Sequence, residues 1–373
     1  MRRLRILAFQ LVLGLLLLEV CLKIYNPLPF RVRGNRIVLP VRQRYTFSHS
    51  DSVKLDAITH HTKNSLGFRG PEPPRDFDRH LTILTIGGST TECMLLSDGK
   101  TWTDTLEHRV HTFDPTAWVN NAGFDGQSTY GHLVLLRDYI VGLRPTIAIF
   151  LLGINDVHLD RANDFDDTLG PVRSFERALG GFVVDHSEIA ALGTNLYSAA
   201  RTHLVGYGNS EMDFKALPHV AVGKAAIERA LADQAIYLEA YEARLARLVD
   251  LSRSHEIEPI LVTQPALYGD AIDPATGLDL STMQFHVGKS GGLEWRVLEA
   301  YNDVTRRIAS AEGLLLVDLG REMPKDSRFY YDFMHYTNAG AAQVGTLVAN
   351  HLVPYLRARA GRDWRRTSES NSR

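Results

Sequence analysis

Cysteine is almost missing from this sequence. Its 373 residues hold two, Cys21 inside the first apolar run and Cys93, which excludes a disulfide framework or a thiolate metal site. A surplus of one charge is lacking too, with 41 Lys and Arg against 43 Asp and Glu. No whole-chain field therefore favours nucleic acid or a uniformly acidic partner. No HExxH or calcium-loop pattern appears. Asp98-Gly99-Lys100-Thr101 imitates the end of a phosphate loop, but Met94 stands where its first glycine is required, so nucleotide binding is discarded. What is present, 45% apolar and 23% charged residues, suffices to bury one full α/β core and carry appendages.

At the N-terminus Arg2, Arg3 and Arg5 precede an apolar run from Ile6 to Leu22, interrupted only by Gln10, Gly14 and Glu19. That length fits a single membrane span and exceeds a typical signal-peptide core. Residues 1–25 are read as an uncleaved signal-anchor, with a cleaved secretory signal as the alternative. Lys23, Arg31, Arg33 and Arg36 put basic residues on the far side as well, which blurs the charge asymmetry that sets topology. The expected placement is a single-pass protein with its catalytic domain outside the cytoplasm.

Residues 26–80 carry prolines, scattered charge and no sustained period, and read as an arm wrapping onto the domain. Within it, Asn64-Ser65-Leu66-Gly67-Phe68-Arg69-Gly70-Pro71 has the residues of a defined turn. Phe68 would pack there and Arg69 would bond backbone in preference to lining a site. From residue 81 a βα rhythm sets in, with short apolar strand candidates at 81–86, 118–121, 146–152, 259–263 and 314–318. Helix periodicity appears at 101–111, 133–143, 224–252, 293–311 and 337–356. Alternation of this kind predicts a three-layer α/β/α sandwich around a five-stranded, mostly parallel sheet, spanning 81–358. An excursion at 157–222 is read as an insertion near the substrate site, 264–292 as a second long loop on the same edge, and 359–373 as a disordered tail.

A serine hydroxyl becomes a useful nucleophile only with a general base, an orienter for that base and donors for the oxyanion. Gly87-Gly88-Ser89 comes directly after the first strand and displays a serine at the carboxyl edge of the sheet. Asp332-Phe333-Met334-His335 puts a carboxylate three residues before a histidine, close enough for Nδ1 while Nε2 faces the serine. Gly123, after the second strand, can bring a backbone N–H close to a ligand. Asn155, in Gly153-Ile154-Asn155-Asp156 after the third, can donate a side-chain N–H. Taken singly, each residue is as easily a cap or a turn. The pair His60-His61 and His186 have no ligand spacing and read as loop residues.

In order and spacing these four blocks resemble the SGNH, or GDSL-like, hydrolase superfamily, over about residues 81–356. The resemblance implies a flavodoxin-like hydrolase fold in which Ser89 is nucleophile and its N–H an oxyanion donor. It makes Gly123 N–H and the Asn155 amide the other donors, His335 base and then acid, and Asp332 its orienter. Gly67-Phe68-Arg69-Gly70 also looks like a segment of membrane-attached bacterial members, implying a bacterial cell membrane and a periplasmic or extracellular domain. One departure is Gly88, where many relatives carry an acidic residue. The implied reaction is two-step ester hydrolysis without cofactor or metal, the substrate being an acylated envelope carbohydrate or lipid. Two alternatives stay open, an O-acyltransferase to a surface polysaccharide and a non-catalytic polysaccharide-assembly or binding protein. The aromatics Phe165, Tyr197, Tyr207, Tyr268 and Phe285 would serve loop packing or a sugar platform equally well.

Overall fold

The computed structural model describes residues 2–24, 32, 33, 36, 37, 39–162, 187–190, 192, 193 and 211–359. Most of the expected insertion, with Phe165, His186, Tyr197 and Tyr207, and the tail from residue 360 lie outside the described residues. The chain divides into two compact units, Met1–Pro40 with Asp167–Gly208, and Val41–Asp166 with Asn209–Arg373.

The first unit contains α1 (Arg2–Ile24). Its residues Arg5–Ile24 are long and apolar enough to cross a membrane. The one acidic interruption, Glu19, is not left unpartnered. Its carboxylate accepts from Ser187 Oγ at 3.0 Å and from the N–H groups of Glu188 and Ile189 at 2.7 and 3.1 Å.

In the second unit, β3 (Thr82–Gly87), β4 (Trp118–Gly123), β5 (Ile147–Leu151), β6 (Glu258–Val262) and β7 (Leu316–Val317) form one sheet. Its spatial order is β4-β3-β5-β6-β7 and every pairing is parallel. The inner strands are largely apolar because both faces are covered, and the two threonines of β3, Thr82 and Thr85, are buried with hydrogen-bond partners. Ile83, Ile149, Leu151 and Val262 join a core with Trp102, Leu106, Val344 and Val348. The alternate residues Leu84, Ile86, Ala148, Phe150 and Leu261 are equally buried on the other side. After β3 comes a four-residue helix, α2 (Ser89–Glu92). One helical layer packs α3 (Trp102–Val110) against α8 (Asn338–Ala358). Gly345 lies so close to Trp102 and Thr105 that a Cβ would have no room. The other layer holds α4 (Thr129–Leu135), α6 (Ala235–Ser254) and α7 (Gly291–Ala311). Helix starts are set by side-chain chemistry. Thr101 and Asp104 form a reciprocal capping box on α3, and Thr337 caps α8 through Gly340 N–H.

Three differences from the sequence reading have physical causes. The long helix expected over 224–252 is two, α5 (Lys224–Ala232) and α6. The break falls at the fully buried Gln234, whose amide reaches His158 Nδ1 at 2.9 Å and the Tyr301 hydroxyl at 3.1 Å. The helix expected over 133–143 begins four residues earlier, capped by Ser128, and passes through a wider π turn at Leu136–Ile140. The stretch before the sheet contains an antiparallel hairpin, β1 (Arg44–Ser48) with β2 (Ile58–Thr62). His60 and His61 are therefore strand residues of this hairpin, not loop residues.

Candidate active site

Parallel strands in register end level. Gly87 pairs with both Gly123 and Leu151, so the loops leaving β3, β4 and β5 converge on one edge beside the point where strand order reverses. Ser89 opens α2 behind Gly88. As the first residue of a helix its N–H has no intrahelical acceptor, and the helix dipole favours negative charge there. Four residues cannot hold a helix by themselves, and neighbours brace this one. Trp102 Nε1 donates to Thr90 O at 3.1 Å, and Thr90 Oγ1 bonds Gln264 Oε1 at 3.2 Å. Cys93 ends it in the left-handed region at φ 51°.

Across the cleft, Asp332 to His335 form the tip of a tight reversal. Tyr330 bridges Tyr336, Tyr331 N–H donates to His335 O at 3.0 Å, and Thr337 N–H donates to Phe329 O at 3.0 Å. Asp332 Oδ1 accepts from the N–H groups of Met334 and His335 at 2.8 and 2.7 Å. Its Oδ2 lies 2.6 Å from His335 Nδ1, and His335 Nε2 lies 2.7 Å from Ser89 Oγ. Ser89, Asp332 and His335 are each 4% exposed. Tyr331 stacks on the imidazole with ring centroids 5.5 Å apart. Burial pulls the His335 pKa down, but the charge and hydrogen bond of Asp332, helped by Asp125, outweigh it and leave the ring raised above its ordinary value. A carboxylate on Nδ1 favours the tautomer whose Nε2 lone pair faces the serine.

Asn155 and Gly123 fare differently. Asn155 sits in the single turn Ile154–Asp156, entered through Gly153 at φ 121°. One of its amide N–H groups donates to Gln127 O at 2.9 Å, and the amide packs on Gly88. A Cβ at position 88 would collide with the Asn155 amide nitrogen, so any side chain there needs that amide to shift. Gly123 does not present its N–H as expected, because that N–H donates to Asn121 Oδ1 at 2.8 Å. The Asn121 amide in turn donates to Thr91 O at 2.6 Å. What demands glycine at 123 is the backbone of Thr91 and Glu92 pressed against it. Asp156 is buried scaffolding. It accepts from Thr129 N–H and Oγ1 and pairs with Arg244 at 3.1 Å.

Arg69 bonds backbone as expected. It is 2% exposed and donates to the carbonyls of Glu92, Cys93 and Leu96 at 3.1, 2.7 and 2.5 Å. Sequence reasoning missed Glu92 and Lys63, a buried ion pair at 3.0 Å. Nothing in the spacing of two residues 29 apart announces such a pair. His61 lies 4.0 Å from the same carboxylate. Burial, with the charges of Arg69 and Lys63, depresses its pKa to about 3 and keeps it neutral. In the second long loop, Tyr268 and Phe285 are buried and pack on Phe333, Tyr268 stacking at 6.0 Å. They pack the loop against Phe333, one of the two residues between Asp332 and His335.

A family model for GDSL-like lipases and acylhydrolases matches residues 85–343. No curated protein matches the chain. Solved structures similar to it include a GDSL-like lipase from Bacteroides thetaiotaomicron, 12% identical over 77% of this chain and 92% of that one, with a TM-score of 0.39. A catalytic mutant of an acetylxylan esterase from Geobacillus stearothermophilus is 16% identical over 77% and 96% of the two chains, with a TM-score of 0.40.

Proposed function

Because the chain belongs to the GDSL-like lipase/acylhydrolase family and is a serine hydrolase acting on ester bonds, we propose that Ser89, His335 and Asp332 remove a short acyl group, acetyl above all, from an envelope carbohydrate or lipid. The observation that carries this reading is the unbroken chain from Asp332 Oδ2 through His335 to Ser89 Oγ, at 2.6 and 2.7 Å. His335 Nε2 takes the hydroxyl proton as Ser89 Oγ attacks the ester carbonyl. The oxyanion faces Ser89 N–H and the second N–H of Asn155, Gly123 being engaged elsewhere. His335 returns the proton to the leaving alcohol, and water then releases the acyl group from Ser89.

Acyl size is argued from the space beside the nucleophile. A cavity of about 10 Å³, walled by Cys93, Leu95, Leu96, Tyr331 and Tyr336, adjoins Ser89 and His335. That is room for about one water-sized group, and the acetyl reading takes it as the seat of the acyl methyl. The apolar helix Arg5–Ile24 would hold the enzyme on a bacterial membrane, with residues 81–358 as the catalytic domain on the outer side and residues 26–80 as the arm leading into it. The test is an ester panel of rising acyl length, together with acetylated glycans, on the full chain in detergent. Acetyl esters should turn over fastest and release free acetate, and preference for long chains would refute the acyl assignment. Transfer of the acetyl to a glycan acceptor in place of release would reassign the reaction to an acyltransferase.

A further inference from the structure

The stretch from Val41 to Gly70 precedes the sheet, yet it grips both halves of the proposed triad. On the nucleophile side, Arg69 is anchored in the fold by a two-way backbone bridge with Asn121, both bonds 2.8 Å. Its guanidinium holds the carbonyls of Glu92 and Cys93, where α2 ends in a left-handed residue. Lys63 pairs with Glu92, the last residue of α2, whose other oxygen accepts Asp125 N–H at 2.6 Å. On the acid–base side, Lys54 comes from the loop that joins β1 to β2. Its Nζ donates to Ser327 O at 3.0 Å and Tyr330 O at 2.9 Å, and lies 4.1 Å above the Phe214 ring. Ser327 and Tyr330 open the reversal that carries Asp332 and His335. Asp56, two residues on, accepts from Asn338 Nδ2 at 3.2 Å at the start of α8.

Ser89 and His335 are 246 residues apart in sequence, and each stands on a short, irregular segment with little secondary structure of its own. A single ordered piece that cross-links both segments fixes their separation more tightly than either could alone. We propose that this pre-sheet stretch, the hairpin with the residues that follow it to Gly70, is a positioning frame for the reacting groups, in which Arg69 and Lys63 hold the Ser89 turn and Lys54 holds the His335 turn. The proposal rests on the reading of Ser89 as nucleophile. None of the three touches the reacting atoms, so all act as positioning residues. Lys54 is the informative one, because it is half-buried and surface-reached, whereas loss of Arg69 threatens folding.

The experiment compares Lys54→Ala, Lys54→Arg and Ser89→Ala in the full chain, with p-nitrophenyl acetate as substrate and a fluorophosphonate probe to count active sites, well below each variant's melting temperature. Displacing a reacting group by about 1 Å can cost about 10²-fold in rate. Lys54→Ala should accordingly lose roughly 10- to 10²-fold in kcat per labelled site while KM changes by less than about 2-fold, and Lys54→Arg, which keeps the charge and the donors on a bulkier head, should recover part of the loss. An unchanged kcat per labelled site in Lys54→Ala, with only a lower melting temperature, would reduce the hairpin to ordinary scaffolding and overturn the proposal. Ser89→Ala separates the two claims. If it abolishes labelling and turnover while Lys54→Ala has no effect, only the frame fails; if it keeps both, the nucleophile reading fails and the frame with it.

Discussion

Replacing Asp332 by asparagine tests the proposed acid–base chain at its most constrained point. Oδ1 already accepts two backbone N–H groups, from Met334 and His335. In Asp332→Asn the carbonyl oxygen must keep that place, which turns the amide NH₂ toward His335 Nδ1, where Oδ2 now lies at 2.6 Å. A donor facing Nδ1 selects the opposite tautomer, with the proton on Nε2. Ser89 Oγ, 2.7 Å from Nε2, then meets an N–H in place of a lone pair and has no base. A wrong tautomer in this arrangement costs about 10⁴-fold in kcat, roughly 5.4 kcal/mol of barrier at about 1.36 kcal/mol per decade. A second readout comes from pH. Burial favours the neutral ring, and Asp332 does most to outweigh it, so in the wild type kcat should rise with pH through a value above 6.5. In Asp332→Asn burial is left with little opposition, and the acid limb of the residual activity should move below 6.5. The raised pKa also acts on stability with the opposite sense. A folded value above the unfolded one stabilises the fold fully below pH 6.5, and that contribution is lost as pH rises through the folded value. Steady-state turnover of a soluble acetyl ester from pH 5 to 9 measures the shift of the acid limb, and thermal unfolding over the same range measures the stability effect. A loss under 10-fold with an unmoved acid limb would refute the orienting role of Asp332.

Asn155→Ala removes one proposed oxyanion donor and should lower kcat about 10²- to 10³-fold, with KM nearly unchanged. Gly88→Ala drives a methyl into the Asn155 amide and toward Gln127 O, 3.2 Å from where its Cβ would stand. Its kcat should fall at least about 10-fold with fluorophosphonate labelling slowed in parallel, since a displaced donor costs a sizeable part of a missing one. Acid stability depends on two imidazoles held neutral, His61, depressed to about 3 by burial and the charges of Arg69 and Lys63, and His132, depressed to about 4 by burial. As pH falls from 6.5 toward about 4 the unfolded chain binds protons the fold refuses, so stability should drop by up to about 1.4 kcal/mol per pH unit for each ring. Thermal unfolding between pH 7 and 4.5 measures this, and a flat melting temperature would contradict it.

The sheet was legible because strands buried on both faces are apolar over most of their length, as Ile147 to Leu151 is throughout and Ile83 to Ile86 is but for Thr85. Parallel topology then does the rest, since it brings every strand's C-terminal loop to one edge whatever those loops contain. The β1 and β2 hairpin was hidden for the opposite reason. Its inward positions are Tyr45, Phe47, Thr59 and His61, while the apolar Ile58 points outward at 59% exposed, so in β2 polar residues occupy the face that the pattern expects to be apolar. The break at Gln234 was hidden because Leu231 and Leu238 keep a spacing of seven on either side of it. Gly123 misled differently. A glycine after a strand is equally suited to offering an N–H and to admitting a neighbouring backbone, and only the placement of α2 decides between them.

Position 88 shows how far a local motif depends on a distant residue. Read alone, Gly88 is the loss of an acidic side chain that could have hydrogen-bonded within the nucleophile turn. In the fold the volume that side chain would fill holds the Asn155 amide, itself tied to Gln127 O. Three loops that leave β3, β4 and β5 thus meet at one point, and Gly88 leaves the Asn155 amide its present place there. The proposed nucleophile turn is held from elsewhere, by Arg69 on its carbonyls and Lys63 on Glu92 together with Trp102 and Gln264 on Thr90. An acidic residue at 88 would therefore have to shift the Asn155 amide from its present place beside the proposed oxyanion site. Restoring the acid alone, as Gly88→Asp, should lower kcat on the same soluble acetyl ester further than Gly88→Ala does.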